Sequence, residues 1–333
     1  ITTLFVANTH TQLLFFTTDG MAYKLKTWRL PQGGRTSKGK AIVNILPIPP
    51  GVSIAAIMPV DRDEEEWGDL QVVFATSAGT VRRNKLSDFT NVKSNGKIAM
   101  KFEDDHAETT MINARIASHD DDVMLITNSG RAIRFPATDV RVFNSRASVG
   151  VRGIRLNGDD TVVSMSIIRH FDATSEERTA YLKMRRAMAG IADDTETDEE
   201  EALADPNFSN ERYVEMSAAE NLILTISSQG SGKLSSSHDY PVRGRGGMGV
   251  TAMDKAMRGG EIVASFPVEM DDQIMLATSK GQSIRVPVEG ISFRSRSAGG
   301  VKVFNTGKNE VVVSVAWIAD QGDEDDEGGD TEE

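Results

Sequence analysis

Arginine and lysine side chains recur at one position of a pattern that is repeated along this 333-residue chain. They lie in loops that lead to a glycine, at Gly39, Gly96, Gly150, Gly249 and Gly300, or directly after that glycine. Guanidinium and ammonium groups spaced along one surface can neutralise successive phosphates of a nucleic acid. The candidate phosphate-binding residues are Arg35, Lys38, Lys40, Lys93, Lys97, Arg141, Arg146, Arg152, Arg243, Arg245, Arg294, Arg296 and Lys302.

A net charge of −12 argues against a nucleic acid as partner, but the charge is unevenly distributed along the chain. Asp320–Glu333 contains nine acidic and no basic residues, and Asp172–Glu220 contains 14 acidic and five basic residues. Setting aside these two stretches, of −9 each, leaves the other residues at +6. Acidic runs are typical of solvated segments, whereas a basic remainder favours a polyanionic partner.

Residue patterns that would support catalysis or metal binding are missing from the sequence. The five histidines have no metal-ligand spacing and the chain has no cysteine. Asp120–Asp122 and Asp271–Asp272 precede apolar runs and are interpreted as turn residues. The glycine-rich stretch Arg243–Gly249 has neither a βαβ context nor a Gly-Lys-Ser/Thr ending, so it does not indicate nucleotide binding. We therefore predict no catalytic residue, metal or cofactor in this chain.

The composition also limits the compartment. The apolar runs, such as Leu13–Phe16, are too short to span a bilayer, and the first residues lack the order of a signal peptide. Absence of cysteine fits a reducing compartment. These features predict a cytoplasmic protein without a membrane partner.

Five segments of about fifty residues share two glycines in the same relative positions. The first glycine of each unit is Gly20, Gly79, Gly130, Gly230 and Gly281, and the second follows 17 to 20 residues later. An apolar run ends in a turn at the first glycine, and a second run returns with basic and apolar residues in rough alternation. Each unit therefore predicts a hairpin followed by a polar loop.

Two further strands complete each unit. The second glycine opens a third strand, and a fourth strand precedes each hairpin, at Thr3–Asn8, Ile54–Val60, Met111–Ala117, Val162–Ile168 and Ile262–Val268. Four strands per unit predict an all-β, propeller-like domain over residues 1–319, with repeats at about 1–47, 53–103, 109–157, 161–254 and 261–304.

The fourth repeat contains an acidic insertion over 169–220. Within it, Ser175 and the acids after it predict a helix that runs through Ala189 and ends at Gly190. The stretch Asp193–Ala204 and the tail 320–333 are expected to be flexible. A lone closing strand at 311–318 matches the first strand of a sixth unit, so we expect an unclosed ring with exposed sheet edges.

Several local motifs are distinctive: Val6–His10, Thr18–Gly20, Ile42–Pro47, Val149–Leu156 and the acidic tail. They resemble the C-terminal domain family of the gyrase A protein, part of bacterial DNA gyrase, and the resemblance covers roughly 1–170 and 221–319. It implies a β-pinwheel of six blades that bends duplex DNA around its basic perimeter. It also implies an A2B2 enzyme with the gyrase B protein that uses ATP and Mg²⁺ to introduce negative supercoils. In that family the cleavage tyrosine lies outside this domain, which is expected to be monomeric and nucleoid-associated.

One departure from the family leaves alternatives open. The family's Gln-Arg-Arg-Gly-Gly-Lys-Gly heptad does not occur, and the nearest strings are Gln32–Arg35 and Arg243–Gly249. The matching domain of topoisomerase IV, which lacks the heptad, is therefore the nearest alternative. A propeller that binds proteins is a second alternative, and its binding would not depend steeply on salt. An enzymatic propeller would need convergent carboxylates or histidines, which the sequence does not indicate.

Overall fold

The protein is an array of small antiparallel sheets with one helical excursion. The computed structural model describes residues 5–34, 37–102, 108–144, 148–188, 208–255 and 259–318. Over these residues, strands form four sheets of four strands and one sheet of three. The prediction of an all-β, propeller-like fold is confirmed. Each sheet is called a blade here and is numbered by the hairpin that it contains.

The five predicted hairpins form at the expected places, with the first glycine of each unit in the turn. The turn glycines have φ between 76° and 84°, a left-handed conformation that glycine adopts without strain. The hairpin strands are β1 (Gln12–Thr17) and β2 (Met21–Lys26), β4 (Gln71–Thr76) and β5 (Thr80–Lys85), β8 (Asp121–Thr127) and β9 (Arg131–Pro136), β12 (Leu222–Ser227) and β13 (Ser231–Ser236), and β16 (Gln273–Thr278) and β17 (Ser283–Pro287).

Short 3₁₀ turns follow the hairpins and lead into the polar loops. Beyond each loop, a two-residue strand follows the second glycine in four units, and a long strand follows further along the chain. The short strands are β6 (Lys97–Ile98), β10 (Val151–Arg152), β14 (Val250–Thr251) and β18 (Val301–Lys302). The long strands are β3 (Ile54–Val60), β7 (Met111–Ala117), β11 (Val162–Arg169), β15 (Ile262–Val268) and β19 (Val312–Ile318).

The four strands of one repeat do not form one blade, and this grouping of the sequence analysis was wrong. Both the long and the short strand pair with the hairpin of the preceding unit, which gives the orders β3-β1-β2-β6, β7-β4-β5-β10, β11-β8-β9-β14, β15-β12-β13-β18 and β19-β16-β17. Every blade is therefore completed by its neighbour in the chain. The alternation of apolar residues indicates which face of a strand is buried but not which hairpin it pairs with.

The ends of the array differ from the sequence expectation for the same reason. The predicted closing strand does not stand alone: β19 pairs with β16 from Gln273↔Ile318 to Thr278↔Val312. In the first unit, the described residues of the expected strand Thr3–Asn8 are not extended into a strand, and Ile42–Asn44 forms a 3₁₀ turn in place of a third strand. Strands at these positions in the later units pair with the hairpin of the unit before, whereas Thr3–Asn8 and Ile42–Asn44 belong to the first unit.

The long strands lie at the inner edge of the array. Consecutive long strands contact one another, from β3 to β7, β11, β15 and β19. In every four-stranded blade the short strand is at the opposite edge of the sheet, so the short strands mark the outer edge. Apolar clusters fill the spaces between neighbouring blades.

Aromatic packing joins the first two blades. The rings of Phe16 and Phe74 meet edge to face at 5.2 Å, and each ring also contacts Phe89, at 5.6 and 5.8 Å. All three side chains are fully buried. Edge-to-face aromatic pairs add to the stabilisation from burial alone, so this triplet is a principal contact between blades 1 and 2.

The described part of the insertion contains two helices that pack against blade 4. The predicted helix is observed as α1 (Ser175–Met188), and a second helix, α2 (Asn210–Ala218), leads back to β12. Thr174 and Glu177 form a capping box at the start of α1, with hydrogen bonds of 3.2 and 2.8 Å. Gly190, the acidic stretch Asp193–Ala204 and the tail 320–333 lie outside the described residues.

A buried histidine lies at the contact between the insertion and blade 4. His238 Nε2 lies 2.7 Å from the carbonyl oxygen of Met216, and the ring of Tyr181 meets the His238 ring edge to face at 5.0 Å. Tyr181 also stacks on Tyr213 at 5.1 Å. Burial lowers the pKa of His238, and the hydrogen bond to Met216 acts in the opposite direction.

Replacing Phe74 by alanine tests the aromatic contact. We expect Phe74→Ala to lower the free energy of unfolding by about 3–5 kcal/mol, because it leaves a cavity between two blades and removes two edge-to-face contacts. Urea denaturation followed by circular dichroism measures the change. Val6→Ala is the matched control, because the Val6 side chain is 74% exposed. A loss for Phe74→Ala as small as that of the control would contradict the packing described above.

The pH dependence of stability tests the burial of His238. Because the pKa of His238 is lowered in the folded state, the unfolded chain takes up a proton below about pH 6.5 that the folded chain does not. Stability should therefore fall as the pH decreases from about 7 to about 5. His238→Gln keeps an N–H donor but does not titrate, so its stability relative to the wild type should rise over the same interval.

The comparison with His238→Gln also removes the contribution of His170, whose pKa is raised. Burial acts to lower the pKa of His170, but hydrogen bonds to Asp122 and Asp172 outweigh it. That contribution is common to both proteins and cancels in the difference. Parallel stability curves for the wild type and His238→Gln would show that His238 is not buried as a neutral ring.

Candidate nucleic-acid interface

The outer edge of the array carries basic side chains at equivalent positions of different blades. Arg152 is the second residue of β10 and Lys302 is the second residue of β18, and both side chains are exposed. They pair across the sheet with Thr80 and Ser231, the first residues of the strands that follow the turn glycines. Lys302 Nζ donates to the carbonyl oxygen of Gln229 at 2.7 Å. The repeat thus places a cation at the same point of blades 2 and 4.

The loops that lead to the short strands lie along the hairpin of the preceding unit, which is the hairpin that the short strand then joins. Single parallel bridges join Arg134 to Val242 and Leu234 to Phe293. The next residue in each loop donates its backbone N–H to the hairpin at 2.8 Å, Arg243 to Arg134 and Arg294 to Leu234. Arg243 and Arg294 therefore occupy equivalent positions, and both side chains are exposed. Neither forms an ion pair with a residue in the described part of the chain.

The second glycine of the repeat allows the loop to approach the hairpin closely. A Cβ atom on Gly150 would collide with the carbonyl oxygen of Val81, and a Cβ atom on Gly249 would collide with that of Ala132. Nothing lies near the corresponding position of Gly39, in the first unit. Close backbone approach thus explains why the second glycine recurs.

Arg245 links two blades. Its Nε donates to the carbonyl oxygen of Asp139 at 3.0 Å, and its Nη1 donates to that of Arg152 at 3.1 Å. The backbone N–H of Gly246 also donates to the carbonyl oxygen of Gly153 at 2.6 Å. The glycine-rich stretch Arg243–Gly249 therefore fastens the loop of blade 3 to the short strand of blade 2.

Arg296 makes the same contacts one blade further on. Its Nε donates to the carbonyl oxygen of Asp239 at 2.9 Å and its Nη1 to that of Thr251. The backbone N–H of Arg296 also donates to the Asp239 carboxylate at 2.6 Å. Arg245 and Arg296 thus use N–H groups of their side chains in contacts that link blades, although the sequence predicts both as DNA contacts. Their contact with DNA stays a prediction.

The remaining candidates differ in their surroundings. Lys38, Lys40 and Lys93 are exposed, and Arg141 is exposed with its guanidinium 4.4 Å from the centre of the Phe143 ring. Lys97 is partly buried and donates to the carbonyl oxygen of Asp88 at 2.7 Å. Arg35 and Arg146 lie outside the described residues.

Sequence reasoning missed one buried cation near this surface. Lys233 on β13 is fully buried, and its Nζ donates to the carbonyl oxygens of Ser295, Arg296 and Ala298. Burial lowers the pKa of Lys233 to about 7, and the charge of Asp239 acts in the opposite direction. A lysine in an alternating strand is usually interpreted as solvent-facing, so no sequence signal distinguished it.

Other hairpin bases pair inside the blades, as the sequence analysis expected of some of them. Lys24 Nζ lies 2.6 Å from the Glu64 carboxylate. Arg134 is buried and donates from Nε to Asp122 at 2.7 Å. Burial lowers the pKa of Arg134, while the Asp122 charge and hydrogen bond act to raise it. These pairs stabilise the blades and are not available to a ligand.

Clusters of metal-ligating side chains and membrane-spanning helices were both sought in the described part of the chain. No group of three or more histidine or acidic side chains there could hold a metal ion. None of the helices over the same residues is long and apolar enough to cross a bilayer.

Curated relatives match the whole chain. It is 42% identical to the DNA gyrase A protein of Granulibacter bethesdensis and 40% identical to that of Rickettsia bellii, each over 100% of this chain and 36% of the relative. The gyrase A protein of Salmonella typhimurium is 31% identical over 97% of this chain and 30% of its own length. The chain thus spans about a third of the relatives that it matches.

Solved structures show the same fold at low sequence identity. A structure of the C-terminal domain of DNA topoisomerase IV aligns with a TM-score of 0.69 and 20% identity, covering 93% of this chain and 80% of the other. A DNA gyrase A C-terminal domain aligns with a TM-score of 0.66 and 21% identity, covering 94% and 84%.

The repeat units themselves match a family model described as "DNA gyrase C-terminal domain, beta-propeller". The matches cover residues 11–61, 71–110, 121–169, 221–269 and 272–316, so each begins at or near a hairpin and extends to or towards the long strand that completes the same blade. The matched stretches thus follow the pairing of each hairpin with the strand after it more closely than the repeats expected from the sequence. With more than half of its residues matched, the chain belongs to the DNA gyrase C-terminal domain family.

Proposed function

We propose that this chain is a non-catalytic module that binds duplex DNA and bends it along the outer edge of the blades. The observation that carries the proposal is the recurrence of exposed cations at equivalent outer-edge positions, Arg243 with Arg294 and Arg152 with Lys302. Arg243 and Arg294 lie on the successive blades 3 and 4, and Arg152 and Lys302 lie on blades 2 and 4, so positive charge recurs along the outer edge. A duplex laid along them meets the phosphate-binding groups in turn without base contacts.

The energetics require several such contacts to act together. Bending a short site by 40–90° costs on the order of 1–6 kcal/mol, and one exposed contact does not offset that. Each neutralised phosphate releases counterions, and the gain accumulates with the number of contacts. Blades joined by shared strands and by the Arg245 and Arg296 clamps form a firm support, so the bend is imposed on the DNA.

The wider role follows from family membership. We infer that the chain works as the C-terminal part of a gyrase A protein, in an A2B2 enzyme with the gyrase B protein, and presents DNA to a cleavage site outside this chain. ATP and Mg²⁺ would then act elsewhere in that enzyme, and the present domain, a monomer by itself, would need no cofactor. Such a protein would work in the cytoplasm at the nucleoid. Identity of 42% and 40% to gyrase A proteins supports this role over that of a topoisomerase IV component.

A salt titration tests DNA binding by the outer edge. We expect the affinity for a ~40-bp duplex, measured by fluorescence anisotropy, to fall steeply as salt rises. The triple variant Arg152→Gln, Arg243→Gln and Arg294→Gln removes three phosphate contacts and should reduce the slope of log affinity against log salt by about 2.7. Lys85→Gln is the control, because Lys85 is exposed at the end of β5 remote from β10.

Each of the three proteins can contradict the proposal in a different way. A wild-type chain that does not bind at low salt would exclude DNA as its ligand. A triple variant with the wild-type slope would place the DNA on another surface. A slope reduced equally by Lys85→Gln would show that overall charge, and not the outer edge, determines binding.

A topology assay tests bending into a wrap. Closed circular DNA is relaxed by a type I topoisomerase in the presence of the chain, and the protein is then removed. Because a wrapped segment constrains writhe, we expect the topoisomer distribution to shift in proportion to the bound protein, and to shift less with the triple variant. An unshifted distribution at saturating protein would mean that the chain binds DNA without wrapping it.

A further inference from the structure

A lysine inside blade 4 holds the loop that presents Arg294. Lys233 is fully buried, and its ammonium donates to the carbonyl oxygens of Ser295, Arg296 and Ala298 at 2.9, 2.5 and 2.7 Å. An ammonium has three N–H donors, so all of them are used on one stretch of backbone. Its side chain is enclosed by the blade and does not reach the surface where DNA would lie.

Besides Lys233, two sets of contacts attach this loop to blade 4: those of Phe293 and Arg294 with Leu234, and those of Arg296 with Asp239. Phe293 bridges Leu234, the N–H of Arg294 donates to Leu234, and the sheet resumes only at Val301. Between these points no strand pairs with the backbone: the carbonyl oxygens of Arg296 and Ala298 accept from Lys233, and that of Ser295 accepts from Lys233 and from the N–H of Ala298. Buried carbonyl groups without donors are costly, so removal of Lys233 should release the segment that follows Arg294.

Blade 2 repeats the arrangement with a different cation. Arg82 is the third residue after its turn glycine, as Lys233 is, and it is also fully buried. Arg82 Nη1 donates to the carbonyl oxygen of Ser148, which precedes the second glycine by two residues, as Ala298 does. The Arg82 guanidinium lies 5.2 Å from the Phe143 ring, and Arg141 lies 4.4 Å from the same ring.

Blade 3 lacks the cation and provides an internal control. Ile133 occupies the equivalent position and packs beside Gly247. There the loop is held by backbone hydrogen bonds, from Arg155 N to Gly247 O at 2.8 Å and from Gly246 N to Gly153 O at 2.6 Å. The exposed Arg243 is thus presented without a buried cation.

We propose that Lys233 and Arg82 are positioning residues for DNA binding: without touching DNA, each fixes the outer-edge loop that presents an exposed arginine, Arg294 in blade 4 and Arg141 in blade 2. This inference rests on the proposed binding of DNA by the outer edge. The conformation of each loop is then fixed by a buried side chain of its own blade. The contribution of Arg294 to DNA affinity should therefore depend on Lys233, and that of Arg243 should not.

A double-mutant cycle on the 333-residue chain tests the dependence. Affinity for a ~40-bp duplex is measured for Lys233→Met, Arg294→Gln and the double variant, with Arg243→Gln in the same two backgrounds as the matched control. In the wild type we expect each arginine change to weaken binding about fivefold. In the Lys233→Met background, Arg294→Gln should have almost no further effect, while Arg243→Gln should still weaken binding about fivefold.

Lys233→Arg separates positioning from stability. Arginine serves at the equivalent position of blade 2, so this variant should restore a large part of the effect of Arg294→Gln. A role confined to stability would lower the urea midpoint of Lys233→Met but leave the effect of Arg294→Gln at its wild-type size, and that result would overturn the inference.

The remaining outcomes are also decisive. If Arg294→Gln and Arg243→Gln both leave wild-type affinity unchanged, the outer edge does not bind DNA and the proposed function itself fails. If Lys233→Met does not fold, the same cycle with Arg82→Met and Arg141→Gln tests the inference in blade 2. An effect of Arg141→Gln that persists in Arg82→Met would then overturn it.

Discussion

The hydrogen bonding of each hairpin to strands from the next repeat is the constraint on which the rest of the structure depends. A hairpin alone exposes two edges and is marginally stable. In the first four blades the next unit supplies both missing strands, a long one at the inner edge and a two-residue one at the outer edge, and in the fifth blade β19 supplies the long one. Neighbouring blades therefore cannot separate without breaking a sheet. The chain gains a firm array without requiring any blade to be complete by itself.

This sharing of strands between units also determines which side chains are exposed at the outer edge. Because the outer strand has only two residues, the loop before it must reach the hairpin within a few residues of leaving the 3₁₀ turn. The second glycine allows this approach at Gly150 and Gly249, and arginine clamps at Arg245 and Arg296 fasten the loop to the blade before it. The side chains left at the surface, among them Arg243 and Arg294, then repeat from blade to blade.

Sequence patterns were sufficient to locate the hairpins but not to identify the strands that pair with them. The paired glycines and apolar runs located all five hairpins, the long strands after the first unit and helix α1, because turns and periodicity are local properties. The assignment of strands to blades needed contacts about thirty residues and more apart. The lone strand at 311–318 was therefore misjudged, although its position was correct: its partner is β16.

The site was predictable in outline and not in the role of each residue. Regular spacing identified the loops that bear the cations, since position in a repeat is visible in sequence. It did not separate Arg294, which is exposed, from Arg296, which binds the carbonyl groups of Asp239 and Thr251. Both residues are arginines in one polar loop, and only their backbone surroundings distinguish them. Lys233 was missed because burial of a charged side chain in a strand is uncommon without a charged partner.

The choice of a buried cation at Lys233 follows from the shape of the loop that it supports. A strand partner would satisfy the carbonyl groups of Ser295, Arg296 and Ala298, but it would also extend the backbone and draw it into the sheet. An apolar side chain would permit the irregular loop but leave the carbonyl groups of Arg296 and Ala298 without the donor that Lys233 supplies. A single ammonium supplies three donors from one point and imposes no strand geometry. A loop can thus stay outside the strand pairing of the sheet while its backbone is held by the blade, which is the condition for an arginine beside it to face a ligand in a fixed position.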